Sequence, residues 1–242
     1  MRSVLLVAGV AAYFLFFATF LYLIGFVVDL PYLPRTIDHN PSAMGAAGAA
    51  VIDLALIALF GLQHSVMARP AFKARWTKIV PPAFERTVYV VAASVALIVL
   101  FAAWQPLPQV LWSVANPLIA DGLWAVCGLG WAVVLISTFL ISHFQLFGLT
   151  QVYANWRGMD VPEKPFGTPL FYRVVRHPLY LGFLMAFWVT PVMTVGHALF
   201  AAGMTVYVLI AIGHEERDLV AVFGERYTGY KARVGMLLPR LR

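Results

Sequence analysis

A chain of 242 residues that is 62% hydrophobic, 12% charged and of mean hydropathy +0.82 lies far outside soluble domains, which run about 45–50% apolar and about 25% charged. A bilayer crossing takes roughly 20 apolar residues, so this composition supplies about six crossings and excludes a separate soluble catalytic domain. The net charge of +6 is carried by bases in short loops between apolar runs, where it reports membrane orientation rather than a nucleic-acid partner.

The expected fold is all-α, a polytopic transmembrane bundle of five to six apolar helices forming one domain over 1–242. Apolar runs are drawn at 4–28, 43–63, 87–104, 122–141, 179–195 and 198–212. The first is longer than a signal-peptide core and lacks a following small-x-small cleavage site, so it is read as retained. The Ala/Gly-rich stretch 43–50 reads as the close-packing end of a helix. The last two runs are short and form a hairpin. Thr190-Pro191 and Gly196-His197 mark either a tight turn or a re-entrant dip rather than two full crossings. The single cysteine, Cys127, lies inside the fourth run and leaves no intramolecular disulfide or Cys-based metal cluster.

Orientation follows from the bases. The 65–86 loop holds Arg69, Lys73, Arg75, Lys78 and Arg86 against Glu85 alone, which places it on the cytoplasmic face. Counting outward from it puts the N-terminus inside, the 29–42 and 105–120 loops outside, and the 142–177 connection and the charged tail from 214 inside.

Three polar clusters share that face. Arg176-His177-Pro178-Leu179-Tyr180-Leu181-Gly182 opens the fifth run, with proline at the first helical position and His177 near the N-cap. Helix N-termini there offer backbone N–H groups to a polar or anionic ligand, and Gly182 with Ala186 forms a small-xxx-small pair. Arg176 and His177 read equally well as interfacial anchors and Tyr180 as part of an aromatic belt. His214-Glu215-Glu216-Arg217-Asp218 ends the sixth run. Its carboxylates read as a salt-bridged helix end, or as acceptors for a ribose diol or an ammonium group. Ser142-His143-Phe144-Gln145-Leu146-Phe147-Gly148 and Gln63-His64-Ser65 close the fourth and second runs. His64 and His143 are helix-end caps or proton acceptors, and the bundle can turn both toward one pocket.

Other chemistries lack their residues. No two of the six histidines (His39, His64, His143, His177, His197, His214) stand three or four apart, so a metal site of the membrane di-iron kind is not expected. Phosphate loops and Gly-x-Ser-x-Gly elbows are missing. Asp53 is the only carboxylate well inside a run and supports a rival reading as a transporter or sensor.

Arg176-His177-Pro178-x-Tyr180-x-Gly182, followed by Glu215-Glu216, resembles the S-adenosylmethionine-binding signature of the integral-membrane methyltransferases typified by isoprenylcysteine carboxyl methyltransferase and phospholipid methyltransferase. Three further stretches, 18–26, 61–70 (Gly61-Leu62-Gln63-His64-Ser65-Val66-Met67-Ala68-Arg69-Pro70) and 142–149, resemble the bacterial branch that methylates methanethiol to dimethyl sulfide. The resemblance implies Arg176, His177, Tyr180, Gly182, Glu215 and Glu216 as cofactor-binding, and His64, His143 and Gln145 as catalytic or substrate-side residues. It implies S-adenosylmethionine as cofactor, a small volatile thiol as substrate, membrane lipids as surroundings, and a bacterial inner-membrane location with the site facing the cytoplasm. A prenylcysteine, lipid amine or other thiol remains an alternative acceptor. Oligomeric state has no signal in the sequence.

Overall fold

The computed structural model describes residues 1–41, 44–162 and 165–240. The expected start of the second apolar run, at 43, lies outside the described residues. Five helices are long and apolar enough to span a membrane: α1 (Arg2–Val27), α2 (Ala46–Ala68), α4 (Pro82–Ala103), α5 (Pro117–Ile141) and α9 (Val195–Phe223). Shorter elements join them: α3 (Pro70–Trp76), α6 (His143–Leu146), α7 (Leu149–Arg157), α8 (Pro178–Trp188), α10 (Glu225–Arg233), and the two strands β1 (Val110–Ser113) and β2 (Val192–Thr194). The protein is thus an integral membrane helical bundle, as its composition dictates. Proline sets two long-helix starts earlier than hydropathy does, at Pro82 and Pro117, and Pro70 opens a short helix that no apolar run marked, because an N-terminal position has no intrahelical partner for the missing N–H.

The chain divides into two compact units. The first comprises 1–112, 142–162 and 192–200. Its middle helix is α4, which packs against α1, α2 and α7 and is the most enclosed of the five long helices. Phe26, Trp104 and Phe200 interlock edge to face, with Trp104 5.9 Å from Phe26 and 5.8 Å from Phe200. The Trp104 indole donates to the Ile37 carbonyl at 3.0 Å. Asp53 is fully buried, and its Oδ1 accepts the Gln105 backbone N–H at 2.8 Å, just past the end of α4. This carboxylate ties α2 to α4, a structural task that weakens the transporter reading built on it. β1 and β2 pair in a small sheet that hydropathy did not foreshadow.

In the α1–α2 loop, Asp29 adopts a left-handed backbone (φ 54°) and accepts the Thr36 hydroxyl and, at 2.8 Å, His39 Nδ1. Asp38 accepts the Thr194 hydroxyl at 2.8 Å. Burial, opposed by the Thr194 bond and reinforced by the nearby Asp29 charge, pushes the Asp38 carboxyl up to about 6, and the Asp29 bond raises His39. A raised acid favours the fold only while it stays protonated, and a raised histidine stabilises the fold below its unfolded value. Stability is therefore expected to fall as pH rises from about 4 through 6, and Asp38→Asn to flatten that part of the curve. Unfolding midpoints measured in detergent between these limits, identical for wild type and variant, would contradict it.

The second unit comprises 113–141, 163–191 and 201–242. Its core contact is α5 against α8, made by two glycines facing each other. A Cβ on Gly182 would stand 2.7 Å from the Gly130 carbonyl and 2.9 Å from the Val134 nitrogen, while one on Gly130 would meet the Ala186 nitrogen at 2.8 Å. The expected small-xxx-small pair thus lets backbone touch backbone. Because both obstacles are main chain, Gly182→Ala is expected to cost about 1–3 kcal/mol of stability, readable as a lowered thermal midpoint.

The final hairpin differs from expectation. The fifth run yields a helix of only 11 residues, about 16 Å long at 1.5 Å per residue, roughly half the hydrocarbon thickness of about 30 Å. The chain then continues through Thr190-Pro191 into β2, because proline cannot continue a helix. α9 starts at Val195 rather than 198 and runs to Phe223, so the residues 214–218 expected at the head of a tail are helical. α8 and α9 are antiparallel: His177 meets Glu216 and Trp188 donates to Thr205 at 2.9 Å.

Candidate active site

In the second unit the motif at 176–182 and the acids at 215–216 converge. Arg176 donates Nε–H to Glu216 Oε1 at 2.7 Å, and His177 Nε2 lies 3.2 Å from the same oxygen. Lys231, on α10, closes on Glu216 Oε2 at 2.6 Å. Arg176 Nη1 also donates to the Val234 and Lys231 carbonyls, at 2.5 and 3.3 Å. The Arg176 and Glu216 side chains are only 9% and 8% exposed, so enclosing their charges is tolerable only because they are mutually paired and hydrogen-bonded. Residues 174–177 run parallel to the C-terminal segment: Val175 bridges Gly235, and the backbone N–H groups of Arg176 and His177 donate to the Gly235 and Met236 carbonyls at 2.8 and 3.1 Å.

The two glutamates are therefore different. Glu216 is consumed by the clamp. Glu215 is 44% exposed, and His177 Nδ1 stands 3.7 Å from its Oε2, too far for a hydrogen bond. Its carboxylate is a ready acceptor. Tyr180 lies one helical turn along α8 with its ring 5.7 Å from that of His177. Gly182 faces α5 and acts in packing.

Three tyrosines, Tyr172, Tyr227 and Tyr230, complete this end. Tyr230 donates its hydroxyl to the Tyr172 carbonyl at 2.6 Å. Tyr227 is buried, and its hydroxyl meets no hydrogen-bond partner among the described residues. Burial pushes Tyr230 up to about 12 and also raises Tyr172 and Tyr227, the latter two helped by the Glu215 charge. These hydroxyls stay protonated and can only donate or accept as neutral groups. An acceptor carboxylate and an orphaned buried donor are the complement of a ligand bearing both hydroxyl or ammonium donors and an acceptor. That is the donor set of S-adenosylmethionine, so the residues present fit it.

The histidines named on the substrate side lie in the first unit and join one cluster. The His64 ring packs on Tyr89 at 4.9 Å and Phe60 at 5.2 Å. Arg86 covers Tyr89 at 4.7 Å and donates Nε–H to the Leu146 carbonyl at 2.6 Å. Three residues before Leu146, buried His143 opens α6, its Nε2 2.8 Å from the Tyr13 hydroxyl. The Gln145 carbonyl accepts the Gln151 side chain at 2.9 Å. His64 does not end its helix, since α2 continues to Ala68. Between α5 and α6 the chain breaks at Ser142, a non-glycine residue with φ 139°, and strain of this kind clusters at functional positions. Gly148, with φ 89°, then starts α7 where a side chain would press on Thr87. Burial lowers the His143 proton affinity, so its imidazole is neutral near pH 7.

Sequence reasoning missed Tyr13, Arg86, Tyr227 and Lys231. Arg86 was counted only as a topology charge, Lys231 lay unremarked in the charged tail, and Tyr13 sits mid-helix among phenylalanines with no motif around it.

No family model and no solved structure matches the chain. Curated relatives do. The methanethiol S-methyltransferase of Mycobacterium tuberculosis is 51% identical over 238 residues, covering 98% of this chain and 97% of its own. Methanethiol S-methyltransferase 1 of Bradyrhizobium diazoefficiens is 51% identical over 231 residues, covering 96% and 80%. The methanethiol S-methyltransferase of Crocosphaera subtropica is 44% identical over 238 residues, covering 98% and 92%. At this identity over nearly the whole length, in a bundle whose polar ends are built as described above, the chain belongs to the methanethiol S-methyltransferase family.

Proposed function

We propose that this protein transfers a methyl group from S-adenosylmethionine to methanethiol, forming dimethyl sulfide, with 1–242 acting as one membrane domain. The observation that carries the reading is the meeting of the 176–182 motif with Glu215 and Glu216, in a chain whose near-full-length relatives bear that enzyme's name. The donor, when bound, supplies an electrophilic methyl group on a positively charged sulfur.

The chain's residues divide the remaining work. Glu215 accepts hydrogen bonds from ribose hydroxyls or the ammonium group. Tyr227 gives its buried hydroxyl hydrogen to a ligand acceptor. Arg176, His177 and Glu216 hold the start of α8, the end of α9 and the C-terminal segment in register, Tyr180 lines the same turn, and Gly182 seats α8 on α5. His64, His143 and Gln145 serve the thiol. An unperturbed thiol titrates near about 8.5, and apolar walls that exclude water leave it dependent on a nearby proton acceptor. The bases of the α2–α4 connection, Arg69, Lys73, Arg75 and Lys78, support an inner-membrane protein whose cofactor end faces the cytoplasm. A volatile apolar substrate and product partition through lipid without a dedicated channel.

Turnover in detergent tests the reading. Purified protein given S-adenosylmethionine and methanethiol is expected to release dimethyl sulfide into the headspace, faster than it methylates longer thiols. Protein that binds the donor but methylates a prenylcysteine or a lipid amine instead would overturn the assigned acceptor.

A further inference from the structure

We propose that Tyr13 and His143 form a proton relay that ionises the thiol, the Tyr13 hydroxyl touching the thiol sulfur and His143 receiving the proton. The proposal rests on the thiol-methylation reading and deepens it by choosing between the two histidines. The Tyr13 hydroxyl stands 2.8 Å from His143 Nε2, with the rings edge to face at 5.7 Å. His143 is 4% exposed and walled by Phe144 at 5.4 Å and Phe147 at 4.9 Å, and Phe16 stacks on Phe147 at 3.8 Å. Aromatic walls suit sulfur, and they deny the thiol bulk water as a proton acceptor.

With its proton on Nδ1, the imidazole presents Nε2 as a lone pair to the Tyr13 O–H. Tyr13 comes from α1, and Gln151 of α7 reaches Gln145. From α4 comes the charge of Arg86, its Nε–H directed to the Leu146 carbonyl. His64 is placed otherwise: its ring faces Tyr89, which also carries the Arg86 guanidinium at 4.7 Å. Held in that aromatic stack on α2, His64 is assigned to positioning.

The thiol proton passes to the Tyr13 oxygen as the Tyr13 proton passes to Nε2, leaving a thiolate and an imidazolium. The thiolate pair forms the new carbon–sulfur bond while the sulfonium carbon–sulfur bond breaks and its pair stays on the donor sulfur. The imidazolium then releases its proton to water, so that thiol plus sulfonium gives two thioethers and one proton.

Thiol acidity separates this role from a packing role. Wild type, Tyr13→Phe and His143→Gln are assayed with methanethiol and with 2,2,2-trifluoroethanethiol, whose thiol ionises far more readily. Both variants are expected to lose about a hundredfold in kcat on methanethiol and at least tenfold less than that on the acidic thiol, with affinity for S-adenosylhomocysteine unchanged by calorimetry. Equal losses on both thiols would overturn the relay and leave Tyr13 as an anchor of α6 on α1. Should Tyr13→Phe fail to accumulate, His143→Gln carries the same comparison. A wild-type protein inert toward every thiol overturns the function and the relay together, an outcome distinct from active wild type with uniform deficits.

Discussion

Glu216→Gln is expected to lower stability by about 3–5 kcal/mol, the usual cost of removing one member of a buried ion pair. The amide keeps the shape of the carboxylate and can still accept one hydrogen bond. It cannot neutralise Arg176, whose side chain is largely enclosed, or Lys231, which closes on the other oxygen at 2.6 Å. For a chain of this size the loss corresponds to a fall in thermal midpoint on the order of 10 °C. The damage should spread to the C-terminal segment, since Arg176 also holds the Val234 carbonyl. The pairing, and not the negative charge as such, is what the fold needs. The double variant Arg176→Met with Glu216→Leu, which removes both buried charges, is therefore expected to lose less than Glu216→Gln alone. A Glu216→Gln midpoint within about 1 °C of wild type, where each kcal/mol is worth roughly 2–4 °C, would show that the clamp does not hold these elements together.

Glu215→Gln, one residue away, is expected to do the opposite. Its side chain is 44% exposed and sits 3.7 Å from His177, so folding depends on it little, and exposed ion pairs contribute about 0–1 kcal/mol. Its carboxylate is free of the clamp and is assigned to the methyl donor. Hydrogen bonds to a charged group contribute about 1.5–3 kcal/mol, so the variant is expected to bind S-adenosylhomocysteine roughly tenfold to a hundredfold more weakly. Calorimetry on the variant in detergent reads this directly, with the thermal midpoint as the companion measurement. Unchanged affinity would remove Glu215 from the site, and a large fall in midpoint would merge its role with that of Glu216.

The contrast between these neighbours shows where sequence reading stops. Glu215 and Glu216 are identical residues at adjacent positions, and their spacing from the 176–182 motif marks them as a pair. On α9 adjacent residues point about 100° apart, so one turns into the α8 start and the other toward solvent. Gly182 carried a cofactor role by resemblance, yet its missing Cβ is what admits the Gly130 carbonyl. His64 and His143 were visible as polar residues closing apolar runs. Arg86 and Tyr13, which link them to a common cluster and to a proton path, belong to helices far away in the chain. Their contribution depends on which helix faces which, and no local pattern states that.

What the sequence by itself determined is the medium and the elements. Hydropathy over windows of membrane length fixes the five long helices, because unpaired backbone polar groups have no place in lipid except inside a helix. The short motifs marked which polar residues gather at helix ends, since apolar runs in lipid leave such side chains only at their termini. Only the tertiary structure decided that the C-terminal segment is locked under Arg176, that Gly182 meets Gly130 backbone to backbone, and that one glutamate supports the fold while the other stays open to solvent. Those outcomes come from distances of a few ångströms between residues dozens of positions apart, where the sign of a charge or the absence of a Cβ acts only once the helices have been brought together.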